Sequence, residues 1–155
     1  MRKIHKVTGQ SDIEAVAKLA DEIWHEYFVS IIGRPQVDYM LDQFQSVPAI
    51  SDQIESGQEY FLLKLDDDVA GYLSLLTGAA GNGIMISKLY VKKNFRGTGA
   101  GRYLLEFVLQ QCKNRNDHTV WLTVNRYNQL AIDWYKKRGF VVTDEKKKDI
   151  GGGYF

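Results

Sequence analysis

Residues 89–102 read Leu89-Tyr90-Val91-Lys92-Lys93-Asn94-Phe95-Arg96-Gly97-Thr98-Gly99-Ala100-Gly101-Arg102, in which an apolar strand end leads through a glycine-rich turn into an amphipathic helix. Glycines at alternate positions allow a tight turn and let a ligand approach the backbone closely, because no Cβ stands in the way. The first amides of the helix have no partner within the helix and carry the positive end of its dipole. The run therefore predicts an anion site, and a phosphate is the first ligand to consider.

The glycine spacing excludes two common phosphate-binding motifs. A P-loop ends in Gly-Lys followed by Ser or Thr, whereas Arg102 and Tyr103 follow the last glycine of this run. The dinucleotide-binding fingerprint has its third glycine three positions after the second, and counted from Gly99 that position is Arg102. Neither nucleotide motif fits the sequence.

A second informative segment covers residues 118–140. The alternation of Val120, Leu122 and Val124 predicts a strand. Asn128 then has the position of a helix N-cap, and Gly139 that of the glycine that ends the helix. The apolar face of this helix is formed by Leu130, Ala131, Trp134 and Tyr135.

These two segments carry a family resemblance. The pattern Arg-x-x-Gly-x-Gly over residues 96–101 resembles the acetyl-CoA pyrophosphate loop of the GCN5-related N-acetyltransferase (GNAT) superfamily, and residues 118–140 resemble its fifth strand and following helix. The expected element order, β-α-α-β-β-β-α-β-α-β, is also that of the superfamily. The resemblance implies a single α/β (α+β) domain over residues 1–155, with a mixed, mostly antiparallel, twisted sheet of six or seven strands flanked by about four helices.

Periodicity and turn signals place the other elements. The expected strands lie around residues 2–7 and at 60–65, 69–76 and 84–91, the second and third forming a hairpin. A capping box at Ser11 opens a helix that runs to about residue 29, Pro35 opens a second helix, and a helical turn follows near 49–56. The C-terminal part departs from the family, because residues 140–143 supply one strand and only 149–155 remain for the last. A stunted final strand is expected, while an early end of the sequence or an edge covered by a partner chain, as in a homodimer, stays open.

Composition narrows the class of protein. The chain has 155 residues, of which 45% are apolar and 25% charged, as in an ordinary globular domain. Its net charge of +1 argues against a general nucleic-acid binder. No secretory signal or apolar stretch of membrane-spanning length is visible, and the single cysteine, Cys112, excludes an internal disulfide. We therefore expect a cytoplasmic protein with neither nucleic-acid nor membrane partners.

The resemblance implies acetyl-CoA as co-substrate and no metal. The pantetheine arm would lie between strands four and five and pair with the backbone of Leu89, Tyr90 and Val91, and the N–H of Tyr90 or Val91 would polarise the thioester carbonyl. Asn128 would contact the cofactor in addition to capping its helix. The pyrophosphate would be bound by Arg96, Gly97, Thr98, Gly99, Ala100, Gly101 and Arg102.

Tyr135 is the candidate general acid, because the family places a tyrosine here to protonate the leaving thiolate. The alternative from periodicity alone is that Tyr135 packs in the core. No general base is evident: many family members carry a glutamate on strand four, and the corresponding position here is Met85. The proton of the amine could leave through water to His25, Glu26 or a tyrosine, or the enzyme could bind the free amine.

The acceptor site is expected on the first two helices and their connection, which are aromatic with scattered acids. Aromatic faces and carboxylates suit a small cation, and the segment resembles bacterial acetyltransferases of the polyamine branch. Other small amines, amino-acid derivatives, and protein lysines or N-termini remain possible acceptors. So does a non-catalytic acyl-CoA-binding regulator, and the same aromatics could simply pack the helix on the sheet. The candidate acceptor-binding residues are Trp24, His25, Glu26, Tyr27 and Tyr39.

Overall fold

The computed structural model describes residues 2–77, 83–115, 119–124 and 127–142. Within these ranges one sheet has five strands, which lie side by side in chain order. The first four are antiparallel to their neighbours, and the fifth runs parallel to the fourth. The mixed, mostly antiparallel sheet confirms the predicted fold class. The strands are β1 (Arg2–Lys6), β2 (Glu59–Leu65), β3 (Asp68–Thr77), β4 (Ile84–Val91) and β5 (Val120–Leu122).

Helices pack on both faces of this sheet because each has one apolar stripe to bury. One core lies under the first four helices and includes Trp24, Tyr60 and Tyr72; the other lies under the fifth and includes Leu73 and Leu104. The helices are α1 (Gln10–Tyr27), α2 (Val29–Ile32), α3 (Arg34–Phe44), α4 (Val47–Glu55), α5 (Ala100–Asn114) and α6 (Gln129–Lys137).

The N-terminal helices follow the predicted pattern, with one error at the first cap. α1 begins at Gln10 after Gly9 and has no side-chain cap, so the capping box at Ser11 is wrong. Instead the Asp12 carboxylate reaches back, accepts from the N–H of Thr8 at 3.2 Å and bonds the His5 ring at 3.0 Å. A carboxylate that ties the preceding strand to the first helical turn makes the Ser11 cap unnecessary.

Other predicted features are confirmed. Pro35 stands in the first turn of α3, and the turn expected near 49–56 is the two-turn helix α4, capped by Ser46. The hairpin of β2 and β3 forms, and β4 has the expected bounds. The described part of the expected strand at 140–143, residues 140–142, has no regular secondary structure, and residues 143–155 lie outside the described ranges. In the ranges given above, no helix has the length and apolar character needed to cross a membrane.

Candidate active site

A groove opens where β4 and β5 separate. The two strands pair only between residues 84–86 and 120–122. Beyond this point β4 continues to Val91, while residues 123 and 124 leave the ladder. The second half of β4 therefore has no strand on its β5 side among the described residues, as expected from the resemblance.

The backbone of β4 presents alternating polar groups to this groove. The N–H of Lys92 donates to the carbonyl oxygen of Ala70 in β3 at 2.7 Å. Because backbone groups alternate sides along a strand, the N–H and C=O of Leu89 and Val91 point into the groove, whereas those of Tyr90 face β3. The expectation that the Tyr90 N–H polarises a carbonyl in the groove is therefore wrong. Of the two predicted groups, the Val91 N–H remains a candidate, and the Leu89 N–H, which was not predicted for this role, also faces the groove.

The loop that follows β4 ends in a row of unpaired amides. Gly97 and Gly99 have φ angles of 79° and 87°, which favour glycine, and Gly99 precedes the first residue of α5. Within the described structure, the N–H groups of residues 97–102 donate no hydrogen bond. The loop is held through its carbonyls, since Arg2 donates to Thr98 O at 2.6 Å and the Thr98 hydroxyl donates to Phe95 O. This geometry fits the predicted anion site.

Gly101 was predicted only as a ligand-binding residue, but it also has a packing role. A Cβ at this position would lie 3.1 Å from Cζ2 of Trp134. The glycine therefore lets the indole of α6 rest on the first turn of α5. Arg102 lies in the first turn of the same helix, two residues after the buried Ala100.

Arg96 contacts groups at the groove. Its Nη2 lies 2.7 Å from Oε1 of Glu26, and its Nε donates to Val91 O at 3.0 Å. The guanidinium carbon is 5.0 Å from the centre of the Tyr27 ring. The arginine thus links the end of α1 to the open edge of β4.

Asn128 connects the same region to α6. It is only 6% exposed, and its Oδ1 accepts from the N–H of Ala131 at 3.3 Å, which confirms the predicted N-cap. The same oxygen accepts from the Tyr27 hydroxyl at 2.7 Å. The predicted cofactor contact of Asn128 would therefore compete with Tyr27.

Tyr135 lies on α6 near the groove. Its ring centre is 5.0 Å from that of Trp134 and 5.3 Å from that of Phe140. Burial raises the pKa of its hydroxyl to about 12. Burial also raises the pKa of Tyr90, and the proximity of Tyr135 raises it further. The phenol is therefore protonated at neutral pH, as a proton donor must be.

Residues 17–140 match the family model described as the acetyltransferase (GNAT) family. The chain belongs to this family. A curated relative, an uncharacterized N-acetyltransferase from Lactobacillus delbrueckii subsp. lactis, is 32% identical over 61% of this chain and 62% of its own length. A [ribosomal protein bS18]-alanine N-acetyltransferase from Salmonella typhimurium is 33% identical over 54% of this chain and 57% of its own length. Both matches span less than two thirds of the relative.

Solved structures show the same GNAT fold. The PaiA N-acetyltransferase from Thermoplasma acidophilum, in complex with coenzyme A, has a TM-score of 0.83, with 20% identity over 94% of this chain and 93% of that chain. A GCN5-related N-acetyltransferase from Rhodopseudomonas palustris has a TM-score of 0.81, with 16% identity over 98% of this chain and 89% of that chain.

The five acceptor candidates of this GNAT chain do not form one cluster. Trp24 is 4% exposed, stacks on Phe28 and donates from its indole to the Tyr72 hydroxyl at 3.3 Å, so it packs the helix on the sheet. Glu26 and Tyr27 contact Arg96 at the groove. The remaining two, His25 and Tyr39, lie on α1 and α3.

His25 ties these two helices together. Its Nε2 lies 2.9 Å from Oδ1 of Asp38, and its Nδ1 lies 3.0 Å from the carbonyl oxygen of Asp21. The hydrogen bond with Asp38 is the main reason why the pKa of His25 is raised. The histidine therefore links α1 to α3, which is a structural role.

Lys88 is a notable residue that the sequence interpretation passed over. It is 6% exposed on β4, and its Nζ donates to Phe44 O, to Gln53 Oε1 at 3.0 Å and to the Tyr60 hydroxyl. Burial lowers its pKa to about 7. The available signal was a lysine in the middle of a mostly apolar strand. Among the described residues, no three His, Cys, Asp or Glu side chains come together as a metal site requires.

Proposed function

We propose that this chain is an acetyl-CoA-dependent N-acetyltransferase that transfers the acetyl group to a primary amine by direct attack in a ternary complex. The main support for the proposal is that two features of the groove adjoin each other. The open edge of β4, with the backbone groups of Leu89 and Val91, leads directly into the loop and first turn of α5, where the amides of residues 97–102 donate no hydrogen bond to any described residue. A long polar arm that ends in phosphates matches this arrangement. The coenzyme A bound to the Thermoplasma neighbour supports the same ligand.

The residues at the groove have distinct roles in this proposal. Bound acetyl-CoA supplies the thioester that the amine attacks. A groove-facing N–H, from Leu89 or Val91, stabilises the negative charge that develops on the carbonyl oxygen. Tyr135 gives its proton to the departing sulfur. Holding both reactants side by side lowers the activation free energy by several kcal/mol, as in other well-oriented reactions.

The proposed acceptor is a polyamine or another small alkylamine. Support comes from the carboxylates on the outer faces of α1 and α3, which would attract a flexible cation. Five of them lie on the second half of α1 and on α3: Asp21, Glu22, Glu26, Asp38 and Asp42. A peptide or protein N-terminus is the second candidate, favoured by the name of the Salmonella relative, which acts on the alanine of a ribosomal protein.

A thiol-release assay with acetyl-CoA tests both candidates. The panel contains spermidine, spermine, simple alkylamines, free amino acids and peptides that begin with alanine. Saturable turnover with polyamines supports the first acceptor class, and turnover with peptides alone supports the second. Binding of acetyl-CoA without turnover on any acceptor would favour an acyl-CoA-binding regulator and contradict the proposed activity.

A further inference from the structure

Four side chains form a continuous bridge at the groove. Glu26 and Tyr27 come from the last turn of α1, Arg96 from the loop after β4, and Asn128 from the N-cap of α6. Arg96 contacts both Glu26 and the ring of Tyr27, and the Tyr27 hydroxyl donates to Asn128. We call this set the groove bridge. It connects α1, the loop after β4 and the start of α6 at this end of the sheet.

The groove bridge uses polar groups that a bound acyl-CoA would need. Arg96 Nε donates a hydrogen bond to Val91 O, an acceptor of β4 that faces the groove. The Tyr27 hydroxyl occupies Asn128 Oδ1, the side-chain acceptor nearest the start of α6. Asn128 Oδ1 already accepts two hydrogen bonds and Val91 O accepts one, so the amide N–H groups of an incoming pantetheine arm would compete with these donors. Arg96 itself is paired with a carboxylate, although a phosphate offers a guanidinium stronger bidentate contacts.

We propose that the groove bridge closes the cofactor groove in the free protein, and that Glu26 sets the affinity for coenzyme A by holding Arg96 away from the phosphates. This inference rests on the proposed function, because it assigns the same groove to coenzyme A. Binding then exchanges one set of contacts for another: Arg96 leaves Glu26 and Val91 O, and Tyr27 leaves Asn128. Glu26 is a positioning residue here, since it acts through Arg96.

The chain contains a matched control for the charge of Glu26. Glu22 lies one turn earlier on α1, and its Oε2 is 3.4 Å from Nζ of Lys92. Glu22 and Glu26 line the same small cavity, together with Ile23, Lys92, Lys93 and Asn94. Removing either carboxylate removes one negative charge near the loop, but only Glu26→Gln releases Arg96.

The test is calorimetric titration with coenzyme A of the wild type, Glu26→Gln, Glu22→Gln, Arg96→Ala and the double variant Glu26→Gln/Arg96→Ala. We expect Glu26→Gln to bind about three times more tightly than the wild type, a size typical of a half-exposed ion pair. Glu22→Gln should give a clearly smaller gain. The gain from Glu26→Gln should disappear when Arg96 is alanine, because no guanidinium is left to release.

A second variant tests the other half of the bridge. Tyr27→Phe keeps the ring under Arg96 but removes the hydroxyl from Asn128, so it should also tighten binding. Equal gains for Glu26→Gln and Glu22→Gln, or a gain that persists with Arg96→Ala, would overturn the inference. A loss of affinity for coenzyme A in Tyr27→Phe would overturn the part of the inference that concerns the contact between Tyr27 and Asn128. A wild type that binds no coenzyme A would instead refute the proposed function on which the inference rests.

Discussion

At the scale of single residues, Lys88 has the most unusual environment. A buried ammonium loses its hydration, and the three oxygens around it, from Phe44, Gln53 and Tyr60, belong to uncharged groups. They join β4 to the end of α3, to α4 and to β2. The lysine therefore fixes the corner of the α1–α4 layer, at the cost of burying a charge without a carboxylate among these contacts.

This environment predicts a pH-dependent stability. The folded pKa of about 7 lies below the ordinary value of 10.5, so between these pH values the unfolded chain binds a proton that the folded chain releases. The free energy of unfolding should therefore rise with pH across this window, by at most about 1.4 kcal/mol per pH unit. Below pH 7 the full cost of the buried charge is present. Lys88→Met should remove this contribution, as measured by urea unfolding at pH 6 and pH 9.

The control for this prediction is Lys113→Met, which removes an exposed lysine from α5. Its effect on the free energy of unfolding should be the same at both pH values. The free energy of unfolding of the wild type should rise by about 2.7 kcal/mol between pH 6 and pH 9 relative to that of Lys88→Met. A difference that stays constant between the two pH values would show that the pKa of Lys88 is not lowered and that the folded chain keeps this proton at pH 9.

Tyr135 gives the second prediction at this scale. Tyr135→Phe should lower kcat at least about tenfold, because the leaving thiolate loses its proton donor, while affinity for acetyl-CoA stays nearly unchanged. The pKa of about 12 keeps the phenol protonated, so its titration should not shape the rate between pH 7 and pH 10. Steady-state kinetics and calorimetry measure the two effects. Tyr103→Phe on α5 is the control, and an unchanged kcat in Tyr135→Phe would exclude the role.

At the scale of elements, the contact between α5 and α6 positions the candidate acid. Trp134 lies between Gly101 of α5 and the guanidinium of Arg138, whose carbon is 3.9 Å from the ring centre. Tyr135 follows Trp134 on the same helix, so a displaced indole would also move the phenol. The close approach of the two helices thus links packing to the geometry of the groove.

Gly101→Ala tests this link. The added methyl would lie 3.1 Å from Trp134 Cζ2, and we expect a loss of about 1 kcal/mol in the free energy of unfolding, although alanine is the better helix former. In the background Trp134→Phe the clashing atom is absent, and the same substitution should become neutral or stabilising. Thermal and denaturant unfolding of the four proteins measure this. Equal effects in both backgrounds would mean that the indole does not restrict position 101.

Local signals were sufficient for most elements, but not for contacts between them. Pro35, the hairpin and the bounds of β4 followed from turn chemistry and apolar patterns near in sequence. The cap at Ser11 failed because Asp12 has a partner in the preceding strand. Arg96 carries the family motif, yet its contact with Glu26 joins residues 70 positions apart, and no local pattern contains that information. The same holds for the contacts of Lys88 with Phe44 and of Trp24 with Tyr72.

At the scale of the whole molecule, stability is unevenly distributed about the groove. β1 to β4 share long antiparallel ladders, whereas β5 is joined to β4 by three residue pairs. α6 in turn contacts α1 through Tyr27 and Asn128, and α5 through Trp134 and Gly101. Regions with few backbone bonds and partial burial open at lower free energy than the core of a sheet.

This distribution predicts how the molecule responds to its cofactor. In hydrogen exchange followed by mass spectrometry, the free protein should show fast exchange in β5 and α6 and slow exchange in β2, β3 and β4. Coenzyme A at about 100 times its dissociation constant should stabilise the fold by about 2.7 kcal/mol through mass action. Because the proposed ligand contacts both sides of the gap, protection should increase most in β5, in α6 and in the first turn of α5. A uniform increase over all strands would show that β5 and α6 already unfold together with the sheet, and no increase at residues 97–102 would place the ligand outside the groove.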